Sequence, residues 1–305
     1  MDTIRVHEVC LRDGLQNEPV VVPTAAKLQV VDGLVRAGFK DIEVTSFVRP
    51  RLLPQLADAA EVLRGLQRTS DVRFWALVPN AKGLDRALDA GVGHIATFMS
   101  ASETHNKRNV NRTIRESLAG LRRVLGDAVA EGLGTRAYIS TVFGCPFEGD
   151  VPVEQTLQVA HGLLEAGAEV IALGDTTGMA DPEQVKRVLE AVVQSGVPLE
   201  SVAVHFHDTR GTALANAYAA WQFGVRHFDG SVSGVGGCPY APGAAGNACT
   251  QDLLYLFERL GAAHGIDLGA TCEVGTVLEE ALGRPLPGRY HQFWRGKLGR
   301  KARTA

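Results

Sequence analysis

The run Val202-Ala203-Val204-His205-Phe206-His207-Asp208-Thr209-Arg210-Gly211 sets two imidazoles and a carboxylate at the end of an apolar stretch. In a β-strand successive side chains alternate faces, so His205 and His207 point the same way with Ala203, opposite Val202, Val204 and Phe206. Two like-facing imidazoles form a metal pincer. An isolated His-x-His is more often a pair on the wet face of an ordinary strand. Here both faces are apolar upstream, as in a strand covered on both sides, and buried imidazoles need partners.

Other polar groups gather at the ends of apolar stretches: Arg12-Asp13-Gly14-Leu15-Gln16-Asn17, Glu43-Val44-Thr45-Ser46-Phe47, Gly174-Asp175-Thr176, and Gly234 to Asn247 around Cys238. Asp13, His205, His207 and Asn247 together offer a carboxylate, two imidazoles and an amide oxygen. That mixed O/N set suits a divalent ion, Mg2+ or Mn2+ ahead of Zn2+ or Co2+. Glu43 and Asp208 read as acids that orient the ligands and Arg12. Taken singly, Asp13 is also a plausible turn acid and Asn247 a helix cap. Arg12 is a permanent cation able to hold an oxyanion, or a structural partner of Glu43 or Asp175. A loop cysteine such as Cys238 is usually incidental, but one facing a metal can deliver a proton.

The elements that position these groups repeat. Ala37-Gly38, Ala90-Gly91, Ala166-Gly167 and Phe223-Gly224 each close a helix-period segment just before an apolar strand. Thr113 with Glu116 forms a capping box, and Asp181-Pro182 opens another helix. Strands are expected near residues 4–10, 41–46, 73–78, 94–99, 136–142, 170–174, 202–207 and 228–232. Eight alternations predict an α/β fold, a (β/α)8 TIM barrel over residues 1–265, with residues 266–305 as C-terminal helices and a basic, solvated tail. A doubly wound sheet is disfavoured, since no G-x-G-x-x-G follows the first strand. The loops lack the Gly-Lys-Ser/Thr of a nucleotide phosphate cradle.

Composition narrows the class. The 305 residues are 45% apolar with a formal charge of -3, so no positive field draws the chain to nucleic acid. No apolar run is long enough to span a bilayer and the start lacks a signal-peptide core, which makes a cytoplasmic protein the expectation. The five cysteines are odd in number and scattered, without a C-x-x-C pair, so neither a disulfide framework nor a thiolate zinc site is expected.

The motifs Arg12 to Asn17, Thr45-Ser46-Phe47-Val48, Gly144-Cys145-Pro146-Phe147-Glu148-Gly149, Gly174-Asp175-Thr176, His205 to Thr209 and Gly236-Gly237-Cys238-Pro239-Tyr240-Ala241 resemble those of the 3-hydroxy-3-methylglutaryl-CoA lyase family. That family sits within the metal-dependent barrel lyases and Claisen-type synthases, and the Cys238 loop singles out the lyases. The resemblance implies cleavage of an acyl-CoA thioester to acetoacetate and acetyl-CoA, as in leucine degradation and ketone-body formation. It implies that Asp13, His205, His207 and Asn247 bind the ion, that Arg12 steadies the enolate and Glu43 supports it, and that Cys238 transfers a proton. Asp13 or His205 is the base; Arg12, Gln16, Ser46 and Thr176 bind substrate; the chain forms a homo-oligomer, a dimer or tetramer. Two positions depart from the family pattern: Phe206, which faces away from the site, and Arg210, expected at the active face where it bears on the acyl group. The rival readings are a Claisen-condensing synthase and a barrel that binds metal or thioester without turnover.

Overall fold

Eight strands close on themselves in sequence order in the computed structural model: β1 (Arg5–Glu8), β2 (Asp41–Ser46), β3 (Arg73–Leu77), β4 (His94–Ser100), β5 (Gly134–Ser140), β6 (Val170–Asp175), β7 (Val202–Phe206) and β8 (His227–Gly230). All pairings in the barrel are parallel, and closure comes from β8 beside β1, with Arg5 opposite His227 and Glu8 opposite Gly230. The structure describes residues 3–238 and 241–304; the side chains of 238, 241–245 and 298–304 are outside that description.

Local chemistry explains the alternation. Thr113 and Glu116 exchange side-chain and backbone hydrogen bonds at the start of helix Ile114–Ala130, and Asp181 accepts from Gln184 N–H at 2.9 Å to open Pro182–Gln194. Helix Thr24–Ala37 stops at Gly38, whose φ of 102° is left-handed. A Cβ there would sit 2.5 Å from the Gly265 carbonyl oxygen, so the turn into β2 admits only glycine.

The strands are buried on both faces, as parallel strands in a barrel must be. Outward-facing Ile42, Val44, Ile95, Ile171 and Val204 join the helices in one large apolar cluster. Inside, a small cluster of Leu77, Ala96, Tyr138, Ala172 and Ala203 shares the barrel with buried charges. Those interior charges are what the strand ends use.

After helix Thr250–Arg259 come helices Leu268–Leu282 and Arg289–Thr304. The basic end, expected as a solvated tail, is thus helical through Thr304. His291 is fully buried, and Glu279 accepts from Leu286 N–H at 2.7 Å while pairing with Arg295 and His291. Charge counting placed Arg295 in the solvated tail and overlooked His291, four residues before it on the same helix face.

Candidate active site

β1 runs into a π-helical turn, Cys10–Gly14, all five residues of which are buried. The N–H groups of Arg12 and Gly14 both donate to the Val9 carbonyl, each at 3.1 Å. That tight turn delivers Arg12 and Asp13 side by side to a cavity of about 460 Å³, lined also by Gln16, Tyr138, Thr176, His205 and His207. A larger groove of about 660 Å³ lies against Ile114, Leu118 and Gln155, but it gathers no ligand set. Chemistry, and not size, selects the site.

The Asp13 carboxylate lies 3.9 Å from His205 Nε2 and 3.8 Å from His207 Nε2, and the two Nε2 atoms are 3.2 Å apart. The three side chains can place one donor atom each within 4.8 Å of the others. Asn247 pairs with His207 in an isolated antiparallel bridge, and its side chain hydrogen-bonds Asp13. Its Oδ1 is buried with no hydrogen-bond partner among the described residues. An orphaned amide oxygen beside a carboxylate and two imidazoles fits a hard divalent cation. Gly236 makes this approach possible: at its φ of 110°, a Cβ would lie 2.9 Å from Asn247 Nδ2.

Arg12 donates to Glu43 through Nε and to Asp13 through Nη1. Glu43 also accepts from the Tyr138 hydroxyl at 2.6 Å and bonds His7 Nε2 at 3.1 Å. Burial would raise the Asp13 pKa, but Arg12 and the two imidazoles override it and hold the acid down at about 2. Glu43 is likewise kept at about 2, its burial outweighed by Arg12 and His7. His207 falls to about 4, mainly through burial and then through His205. Both acids are thus ionised and the His207 imidazole is neutral at neutral pH.

The remaining expectations are placed as follows. Gln16 Nε2 donates to Asp13 at 2.7 Å. The Thr176 hydroxyl accepts from Thr141 N–H at 2.9 Å and lines the cavity, whereas the Ser46 hydroxyl accepts from Val48 N–H at 3.2 Å and it is Val48 that lines it. Among the described residues Asp208 accepts from Ala213 N–H at 3.0 Å and not from His205 or His207, as alternation turns it away from the imidazoles' face. Arg210 does not line the cavity; it donates to the carbonyls of Thr177 and Gly178 at 2.6 and 3.1 Å, which makes it a clamp between loops. Phe206 faces away and meets Phe143 at 5.8 Å between ring centroids. The Cys238 side chain lies outside the described residues; the backbone before it is tied by Asn17 Nδ2 to Gly237 O at 3.3 Å. Cys10, Cys145, Cys249 and Cys272 are free and buried.

Sequence reasoning missed Tyr138, His105 and Asp229. Tyr138 and His105 line the cavity, and Asp229 accepts from His205 Nδ1 at 3.0 Å. For Tyr138 the signal was present: Arg136, Tyr138 and Ser140 alternate with apolar Ala137 and Ile139, the pattern read in β7 and not in β5.

Comparison with known proteins extends the geometry. The family model described as HMGL-like matches residues 3–278. Hydroxymethylglutaryl-CoA lyase YngG of Bacillus subtilis is 48% identical over 292 residues, which is 96% of this chain and 97% of that protein. The crystal structure of the Bacillus subtilis HMG-CoA lyase superposes with a TM-score of 0.94 at 47% identity, covering 97% of this chain and 99% of that one. An HMG-CoA lyase from Acinetobacter baumannii, solved with coenzyme A and 3-methylmalate, gives a TM-score of 0.90 at 40% identity, covering 95% of each chain.

Proposed function

The chain belongs to the HMGL-like family, and from that premise we propose that it is a lyase that cleaves a 3-hydroxy-3-methylglutaryl thioester of coenzyme A into acetoacetate and acetyl-CoA. The observation that carries the reading is the placement of Arg12 beside a carboxylate that is itself 3.8 to 3.9 Å from two imidazoles. Few reactions need a guanidinium and an O/N ligand set in one small cavity. Cleavage of a β-hydroxy thioester does: one group must take the hydroxyl proton, and another must receive charge as it moves onto the thioester oxygen.

Asp13, His205, His207 and Asn247 would hold a divalent ion, Mg2+ or Mn2+, and the ion when bound lowers the pKa of a hydroxyl it grips. Asp13 takes the proton of the tertiary hydroxyl. The carbon–carbon bond then breaks, its electrons passing to the acetyl thioester as an enolate. Arg12, pinned by Glu43, donates to that enolate oxygen, and Cys238 returns a proton to its carbon. Gln16, Ser46 and Thr176 hold the substrate, with Ser46 acting by setting the backbone at Val48. The remaining parts of the reading are a homodimer or homotetramer, a cytoplasmic location, service in leucine degradation and ketone-body formation, and residues 266–305 as an extension on the barrel of residues 1–265. No helix among the described residues is long and apolar enough to cross a membrane.

The test is acetyl-CoA release from a panel of 3-hydroxyacyl thioesters, with and without a chelator. Release from the 3-hydroxy-3-methylglutaryl thioester that stops on chelation is expected. Turnover that ignores the chelator, or free CoA released only from acyl-CoA plus a 2-oxo acid, would overturn it. Cys238→Ser should lose most turnover while retaining the ion, as metal analysis of the dialysed variant will show.

A further inference from the structure

The two imidazoles of the site are held differently. His207 Nδ1 is buried with no hydrogen-bond partner among the described residues, whereas His205 Nδ1 sits 3.0 Å from Asp229 Oδ2. A neutral imidazole carries one N–H, and a carboxylate only accepts, so the proton of His205 belongs on Nδ1 and the lone pair on Nε2. That lone pair is on the side of Asp13 and His207. Asp229 cannot swing away, since its other oxygen takes Arg136 Nη2 and both residues are buried. Arg136 in turn lies 5.0 Å from the centre of the Tyr138 ring, and that ring meets His205 edge-on at 5.7 Å. Three strands therefore supply the contacts that end at His205: β5 gives Arg136 and Tyr138, β8 gives Asp229, and β7 gives His205 itself.

We propose that Asp229, clamped by Arg136, is a positioning residue that fixes His205 as an Nε2 ligand and so sets the affinity of the site for a divalent ion. The inference rests on the metal reading of the site given above. It adds what that reading leaves open: why His205 presents one nitrogen and not the other. An asparagine at position 229 has the same shape but can donate to Nδ1, which would move the imidazole proton to Nε2 and close the ligand position.

Two measurements test it on the full chain without substrate. In ¹⁵N-histidine NMR of the metal-free parent, His205 should show the Nδ1–H tautomer; an Nε2–H tautomer overturns the proposal without any variant. In calorimetric titration with Mn2+, Asp229→Asn should bind ten- to a hundredfold more weakly than the parent. The double variant Asp229→Asn with Arg136→Met leaves no buried cation unpaired and should show the same weakening. Parent-like affinity in the single variant, or affinity recovered in the double one, shows that Asp229 serves only to neutralise Arg136. A parent that binds no Mn2+ overturns the metal reading and this inference with it, whereas a parent that binds while the variants bind equally well overturns the inference alone.

Discussion

Two glutamates on neighbouring strands, Glu8 and Glu43, are both wholly buried and have opposite electrostatic fates. Glu43 points into the barrel, against Arg12, His7 and the Tyr138 hydroxyl, and is held at about 2 because those partners outweigh its burial. Glu8 points out toward the helices, where its partners are neutral: Cys10 N–H and Val232 N–H at 2.9 Å and the Thr250 hydroxyl at 2.6 Å. Burial then dominates and lifts it to about 7. Depth alone drives an acid neutral, and a cation in contact keeps it charged. An ionised buried acid thus marks where a cation is being held for use, and a neutral one marks a strut; Glu8 ties the Arg12–Asp13 turn to the segment that leads to Cys238.

The largest break in this contrast is Glu43→Gln. It strips the buried guanidinium of one carboxylate and should cost about 3–5 kcal/mol in chemical denaturation. Turnover should fall on the order of a hundredfold or more, because Arg12 is no longer aimed. A variant with normal turnover would detach Glu43 from the chemistry.

Next comes Glu8→Gln, which keeps one acceptor oxygen for Cys10 and Val232 N–H, sets an amide NH2 against the Thr250 hydroxyl in place of the second oxygen, and removes the titration. The folded chain holds the Glu8 proton to higher pH than the unfolded chain, whose glutamate titrates near its ordinary 4.5. The stability this contributes is whole below 4.5 and is lost as pH rises through about 7. The parent should therefore lose about 1.4 kcal/mol per pH unit in that window relative to Glu8→Gln. Denaturation curves at several pH values check this, and parallel curves would contradict it. Glu43 runs the other way: its contribution is present above 4.5 and is lost as pH falls through about 2.

The smallest effect sharpens the role of burial. Asp71 pairs with Lys40 at the surface, both side chains more than half exposed. Lys40→Ala should leave the denaturation midpoint unchanged, since water screens what the barrel interior does not. A shift as large as that of Glu43→Gln would show contact alone, without burial, to be enough.

These contrasts also show what could be read in advance. Alternation in His205 and His207, the glycines that close helices and the Thr113–Glu116 box are local signals, and they yielded the barrel and the strand ends. Asp13 and Asn247 joined the site because strand ends converge in a barrel. Asp229 was beyond reach, because its partner Arg136 is ninety-three residues distant and pairing across a barrel leaves no spacing in the chain. Asp208 was misread by proximity to the histidines, although alternation already turned it aside. The final helix was hidden by charge, which masked buried His291.

The central claim is that Asp13, His205, His207 and Asn247 share one divalent ion. The direct measurement is the Mn2+ bound per chain, read from the electron paramagnetic signal of the free ion, in the parent and in His207→Ala. The account predicts one ion in the parent and a marked loss in the variant at the same free concentration. Equal metal content in the two would remove His207 from the ligand set and contradict the site described.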